Sequence, residues 1–182
     1  PKVELLPPSR LVEPVVALME PSFANKGVVL TWQPDQGVLP LWGDPEQLQQ
    51  VLVNLLTNAL AATGSGGTVV VGATTRERVS EELADHLRAG DCALPQVVVL
   101  WVQDSGCGMP KEHLARAFEP FFTTKALGRG TGLGLVLSHE IVKAHGGVLT
   151  LDSEEGTGTT VTMVLPAATP EGLVTEVGSA HG

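Results

Sequence analysis

Asn54 and Asn58 stand four residues apart in the run EQLQQVLVNLLTNALAA, whose apolar residues recur at helical spacing. The two amides therefore share one helix face. Asparagine is a mediocre helix former, and a stacked pair implies that the face looks at something polar. An amide oxygen is a hard, neutral ligand, suited to a magnesium ion that already holds phosphates and water. The same pair also fits a solvated face of an amphipathic helix, so alone it decides nothing.

A second cluster, Asp104-Ser105-Gly106-Cys107-Gly108, directly follows the apolar stretch QVVVLWVQ. A carboxylate at a strand end can accept a hydrogen bond from an exocyclic amine such as that of adenine. Gly106 and Gly108 allow positive φ and a close approach of ligand to backbone. An ordinary turn has a similar composition. Cys107 has no adjacent base or cation and reads as a small filler. A third segment, Gly128-Arg129-Gly130-Thr131-Gly132-Leu133-Gly134-Leu135, alternates glycines up to the start of a helix. The free N–H groups and dipole of a helix start suit phosphate oxygens. The spacing is not that of a dinucleotide-binding turn, and the Lys-Ser/Thr ending of a P-loop is missing. So many glycines weaken a helix start entropically, which argues for function. Between these segments lies Phe118-Glu119-Pro120-Phe121-Phe122-Thr123-Thr124-Lys125. Its aromatics could anchor a loop that closes over a ligand and brings Lys125 to a terminal phosphate. A satellite apolar cluster under a long loop is the plainer alternative.

These pieces need elements to position them. Helical spacing of Leu11, Val15, Leu18 and Met19 predicts a helix over 11–26, stopped by Gly27, with a kink or break at Pro21. A strand at 28–33 and an extended piece near Val38 to Trp42 follow. The helix over 44–62 has Asp44 as cap, Pro45 at its first position and Gln47 completing a capping box. Its buried stripe is Leu48, Val51, Leu52, Leu55, Ala59 and Leu60. Strands are expected at 68–74 and 96–103, around a charged surface insertion at 76–95. A helix from Gly132 to His145 leads into a hairpin of 148–153 and 159–165. Helices and strands mix without strict alternation, so the expected fold is α+β. It is a two-layer sandwich, a mixed sheet of about five strands plus a short hairpin, with about three helices on one face. A doubly wound parallel sheet fits less well, because the chain ends in a hairpin.

The 182 residues suit one domain, and 43% hydrophobic residues can build its core. The formal charge of -9 excludes a nucleic-acid-binding face, which needs clustered Lys and Arg. Cys92 and Cys107 form neither a disulfide framework nor a paired zinc site and read as reduced thiols of a cytoplasmic domain. No apolar run reaches the ~20 residues of a membrane span, and no signal peptide opens the chain. The first residue is Pro1, so a piece excised from a longer protein is expected, with membrane anchoring of that parent left open.

With these segments in this order, the sequence resembles the catalytic domain of bacterial histidine kinases. Those domains belong to the ATP-binding superfamily shared with gyrase, the heat-shock chaperone and MutL. DPEQLQQVLVNLLTNALAAT resembles the family's N box, DSGCGMP the first glycine box and FEPFFTTK the F box. GRGTGLGLVLSHEIVKAHGG resembles the second glycine box and GTGTTVTMVLP the last. FFTTK is similar to kinases of the nitrogen-regulation and dicarboxylate-sensor type. The match covers about Leu11 to Pro166.

The resemblance implies that Asn58 ligates Mg²⁺, with Asn54 beside it near the phosphates of ATP. It makes Asp104 the adenine reader, Gly106 and Gly108 the wall around it, and Thr159 a support to the base through water. Lys125 would meet the γ-phosphate. Gly130, Thr131, Gly132, Leu133, Gly134 and Leu135 would cradle the phosphate chain, with Arg129 as a further cation. Residues 109–130 become a mobile lid, 1–10 a linker from a dimerisation domain, 11–166 the catalytic domain and 167–182 a flexible tail. Hydrolytic relatives carry a Glu where Asn54 stands; a neutral amide cannot be a general base, which favours transfer to histidine over hydrolysis. The implied partners are a dimerisation domain bearing the acceptor histidine and a response regulator. Neither nucleic acid nor direct membrane contact is implied, and the piece is expected to be monomeric. Ser138-His139-Glu140 copies the start of the family's acceptor motif, but it falls in the helix after the second glycine box. His139 is therefore not expected to accept phosphate. A nucleotide-driven switch without chemistry and a serine kinase of the same fold are the competing readings.

Overall fold

The computed structural model describes residues 2–77, 96–123 and 132–168. Its main sheet has five strands in the order β2-β4-β5-β7-β6. These are β2 (Val29–Pro34), β4 (Thr68–Arg76), β5 (Val97–Asp104), β6 (Val148–Glu154) and β7 (Gly158–Pro166). β2 runs parallel to β4, and every other neighbouring pair is antiparallel. The expected mixed α+β sandwich is therefore present. Its closing hairpin is not an addition to the sheet but its last two strands. A separate two-stranded sheet pairs β1 (Glu4–Leu6) with β3 (Leu41–Gly43).

Alternation along β5 sets the two layers. Val98, Leu100 and Val102 join the large core with Leu149, Val161 and Met163. Val97 and Val99 face the other way, packing with Val164 and the half-buried Trp101 and Val148. Gly72 belongs to this second face, because a Cβ there would stand 2.1 Å from the Trp101 ring. The large core is covered by α1 (Pro8–Lys26), α2 (Pro45–Ala62) and α4 (Gly134–Ala144). A fourth helix, α3 (Lys111–Arg116), lies in the long stretch after β5, where the sequence pattern predicts none.

The start of the chain departs from expectation. Residues 4–6 are a strand rather than linker, and Leu6 is buried. α1 begins at Pro8, whose ring suits a first turn, and continues through both Pro14 and Pro21. Both prolines face solvent, as do Arg10 and Ala17, whose carbonyls they leave unpaired, so water can take the lost bonds. The buried arc of α1 is Pro8, Leu11, Val12, Val15 and Phe23. Leu18, assigned to that arc by its spacing from Leu11, is 71% exposed. Seven residues advance a helix by slightly less than two turns, which carries Leu18 past the edge of the arc. Gly27 ends α1 at φ 74, as expected.

α2 buries Leu48, Val51, Leu52, Leu55, Leu56 and Ala59; Leu56 replaces the expected Leu60, which is half-buried. Each fully buried Leu or Val contributes about 1.5–3 kcal/mol. Asp44 caps α2, its Oδ1 accepting from the N–H groups of Glu46 (3.0 Å) and Gln47 (3.2 Å). The reciprocal half of the capping box is absent. The Asp44 N–H donates instead to Nε2 of His145 (3.1 Å), whose Nδ1 lies 2.8 Å from the Ile141 carbonyl. His145 is thereby held with Nδ1 protonated and Nε2 accepting. Oδ2 of Asp44 accepts from the Lys2 N–H at 2.8 Å. That bond, then those of Gln47 and Glu46, hold the Asp44 carboxyl below its ordinary range. One residue thus ties the β1 segment, α2 and the end of α4 together. At the opposite end of α2, Lys26 Nζ donates to the Leu60 carbonyl at 2.6 Å.

Arg76 and Glu77 are described, but the remainder of the expected insertion lies outside the described residues. Of the expected tail, Ala167 bridges to Leu41 and the Ala168 N–H donates to Pro40 O; residues from 169 lie outside the described residues.

Candidate functional site

The helix-facing register of β5 ends at Asp104, and its antiparallel partner on β7 is Thr159. Thr159 in turn pairs with Ser153 on β6. Three polar residues therefore lie in a row across the end of an otherwise apolar sheet face. Asp104 is 8% exposed, with Oδ1 accepting from the N–H groups of Gly106 (2.9 Å) and Thr159 (3.3 Å). Oδ2 has no partner among the described residues. Burial raises the Asp104 pKa above the ordinary value, against the opposing pull of the Gly106 and Thr159 bonds. A ligand donor at Oδ2 would relieve that cost.

The backbone around Asp104 is closely fitted. The Cys107 N–H donates to Ala62 O, and the Gly156 N–H donates to Cys107 O at 2.7 Å. The Ser153 hydroxyl accepts from the Met109 N–H (2.9 Å) and lies 2.7 Å from the Thr159 hydroxyl. Gly106 packs against the Ala62 carbonyl, where a Cβ would stand 2.4 Å from that oxygen. Gly108 has φ 65, and its absent Cβ would fall 1.9 Å from Glu154 O. No other residue type fits there.

In front of Asp104 opens a cavity of about 730 Å³ between α2 and α4. Asn54, Asn58, Asp104, Gly108, Gly132, Gly134, Leu135 and Thr159 line it, with an apolar wall that includes Val102, Met109 and Leu151. The four sequence segments singled out for chemistry thus all reach one chamber, the Phe-rich one through Phe122 and Thr123. Gly106 and Leu133 do not line it: Gly106 is buried behind Asp104, and Leu133 is 39% exposed beside the start of α4. Lys125, Arg129, Gly130 and Thr131 lie outside the described residues.

Asn54 approaches α4 closely. Its Nδ2 donates to Oγ of Ser138 (2.9 Å), and a Cβ at Gly134 would stand 2.3 Å from its Oδ1. Among the described residues, the chamber's donor set fits magnesium that would arrive with phosphates: neutral amides and a glycine-opened helix start. Among the described residues no group of three or more His, Cys, Asp or Glu could hold a metal by itself.

The F-box aromatics divide. Phe118 packs on the core, its ring 5.5 Å from that of His139. Arg116 stacks 4.5 Å above Phe122 and bonds Glu119 at 2.9 Å. Phe121 is 75% exposed with φ 65, and its N–H donates to Gly132 O. Sequence reasoning overlooked Ser138 and Ser153. Period-two counting back from Thr159 through the hairpin would have found Ser153; Ser138 left no signal beyond its position one turn after Gly134.

A two-layer domain with a chamber between two helices, floored by a strand-end carboxylate, is the architecture of an ATP-binding catalytic domain. Residues 43–169 match the family described as histidine kinase-, DNA gyrase B-, and HSP90-like ATPase, and the chain belongs to that family. It is 39% identical over 142 residues to the sensor kinase CckA of Brucella abortus, covering 78% of this chain and 15% of the relative. It is 35% identical over 156 residues to the sensor histidine kinase ZraS of Escherichia coli, covering 86% of this chain and 29% of the relative. Among solved structures, the catalytic domain of histidine kinase ThkA superposes with a TM-score of 0.73 at 25% identity, covering 93% of this chain and all of that one. Full-length ShkA in complex with AMPPNP also gives 0.73, at 26% identity, covering 92% of this chain and 32% of that one. The chain is homologous to the ATP-binding domains of two-component sensor kinases. It spans 15% of the length of CckA and 29% of that of ZraS.

Proposed function

We propose that this domain binds Mg-ATP in the chamber between α2 and α4. It then passes the γ-phosphate to a histidine on a dimerisation domain of the same sensor kinase, for relay to a response-regulator aspartate. The observation that carries the reading is Asp104: a buried carboxylate, fixed at Oδ1 by two backbone N–H groups, with Oδ2 available to the amine of an adenine. Thr159 and Gly108 complete that wall. At the other end, Asn58 and Asn54 face the phosphate chain together with the start of α4, where Gly132, Gly134 and Leu135 line the chamber.

Magnesium, when bound, neutralises phosphate charge; Asn58 is its assigned ligand. The protein's own part is positioning and electrostatics, because the attacking imidazole belongs to the acceptor domain. Asn54 supports transfer over hydrolysis, since its amide offers no base for water. Lys125 and Arg129 are assigned to the phosphates from sequence. Replacing Lys125 with Ala is expected to lower phosphotransfer more than ATP affinity; equal losses would count against a role in the transition state.

The direct test mixes this chain with labelled ATP and a separately prepared dimerisation domain of a matching sensor kinase. Acid-labile label on that domain supports the reading. Acid-stable label would indicate serine, and nucleotide binding without transfer would indicate a switch.

A further inference from the structure

The Asn54 amide is gripped from α4 at two points one helical turn apart. Ser138, 2% exposed, accepts from Nδ2, and Gly134 leaves room for Oδ1 where any side chain would collide. Either contact alone would be incidental packing. Together they hold the amide in place: the serine hydroxyl, which can pair with either end, anchors one end of it, and rotating the amide by half a turn would set the NH₂ group against the first turn of α4. A helix start already presents unpaired N–H groups, so a second set of donors there is unfavourable and an oxygen is favoured.

We propose that Ser138 and Gly134 form a socket that locks the Asn54 amide with its oxygen toward the phosphate end of the chamber. Ser138 is thereby a positioning residue for metal-dependent nucleotide binding. The inference rests on the Mg-ATP reading above and deepens it. Ser138 touches neither ligand nor chamber; it acts through Asn54. Because Asn54 and Ser138 belong to α2 and α4, their bond also joins the two walls of the chamber near the phosphate end. Loss of the hydroxyl leaves the NH₂ group without that partner, so the amide can turn away from α4 and its oxygen no longer stays toward the phosphate end.

The test compares the wild-type chain with Ser138→Ala and Ser138→Thr. The Asn54 side-chain NH₂ signals are followed by ¹⁵N–¹H NMR, assigned by their disappearance in Asn54→Asp, and thermal unfolding serves as control. ADP affinity is measured by calorimetry with magnesium and with EDTA. Expected for Ser138→Ala are NH₂ signals displaced toward those of solvated amides and a loss of about three- to tenfold in affinity with magnesium. In EDTA the loss stays below about twofold, because there the adenine end carries the binding. Ser138→Thr, which keeps the hydroxyl, restores both readouts. Unmoved Asn54 signals, or equal losses with and without magnesium, overturn the proposal. Should Ser138→Ala unfold, the threonine variant decides: retained signals and metal-dependent affinity support the socket, and their loss in a folded protein overturns it. A wild-type chain that binds no ADP at all defeats the Mg-ATP reading instead, and the socket's grip on the amide then stands or falls on the NH₂ signals.

Discussion

The two ends of the chamber are built by different means. At the end proposed for adenine, the sheet does the holding. Asp104, Thr159 and Ser153 are register neighbours on three strands, and backbone N–H groups of Gly106, Thr159 and Met109 complete the network. At the end proposed for the phosphates, two helices from distant parts of the chain meet, and a side-chain bond joins Asn54 to Ser138. Backbone geometry fixes the first end, so its chemistry cannot be moved without moving the fold. The second end can be altered with the fold intact. Under the proposed function, a recognition wall gains from rigidity, whereas an end that would admit a metal, a phosphate chain and then an acceptor gains from adjustable walls.

Asp104→Asn breaks the adenine end most directly. Asn can still accept from Gly106 and Thr159, but it offers an NH₂ group where the base amine needs an acceptor. ATP affinity is expected to fall by about 10- to 100-fold by calorimetry. Stability moves the other way. The folded carboxyl has a raised pKa, so the fold binds the proton more tightly than the unfolded chain does. Wild-type stability therefore declines as pH rises from the ordinary value of 3.8 through the raised one, and stays low above it. Asp104→Asn removes that decline, so its unfolding temperature at pH 7 should equal or exceed that of the wild type, with the difference shrinking toward pH 3. Wild-type affinity in this variant would remove Asp104 from the pocket.

The same glycine-to-alanine change at each end sharpens the contrast. Gly108→Ala forces a Cβ against the Glu154 carbonyl at a positive φ. Backbone must yield, and the expected cost is about 2–4 kcal/mol, lowering the unfolding temperature by roughly 10 °C. At Gly134 the three atoms nearest an added Cβ all belong to the Asn54 side chain. Alanine favours the helix by up to about 1 kcal/mol, so unfolding should stay near wild type while Mg-ATP affinity falls about tenfold. If Gly134→Ala proves as destabilising as Gly108→Ala, the two ends are equally built into the fold.

That asymmetry also explains what the sequence revealed. Asp104, Gly108, Asn54, Asn58 and Gly134 were legible because their types are unusual for the elements that carry them. An aspartate closing an apolar strand and paired asparagines in a leucine helix ask for a polar neighbour. The β-branched runs at 68–74 and 96–103 marked the centre of the sheet for the same local reason. What stayed hidden depends on contacts distant in sequence. Asp44 reads as half of a capping box, but its N–H goes to His145, 101 residues away. Ser138 looked like the start of a motif, yet its hydroxyl serves a helix 84 residues earlier. α1 passes through two prolines because they fall on its wet side, which depends on where the sheet lies. Residues 4–6 form a strand because β3 stands across from them.

Thr159→Val gives the smallest expected effect and bears most closely on the claim that backbone holds the adenine end. The bond from Thr159 to Asp104 runs through the main-chain N–H, which valine keeps, while the hydroxyl reaches only Ser153 among the described residues. Valine is also at home in a strand. Removing that hydroxyl should cost about 0.5–1.5 kcal/mol in thermal unfolding and leave ATP affinity within about threefold of wild type. A loss as large as that of Asp104→Asn would mean that the Thr159 hydroxyl reads the base directly, beyond the support through water that the resemblance implies. The recognition wall would then be made of side chains, as the phosphate end is.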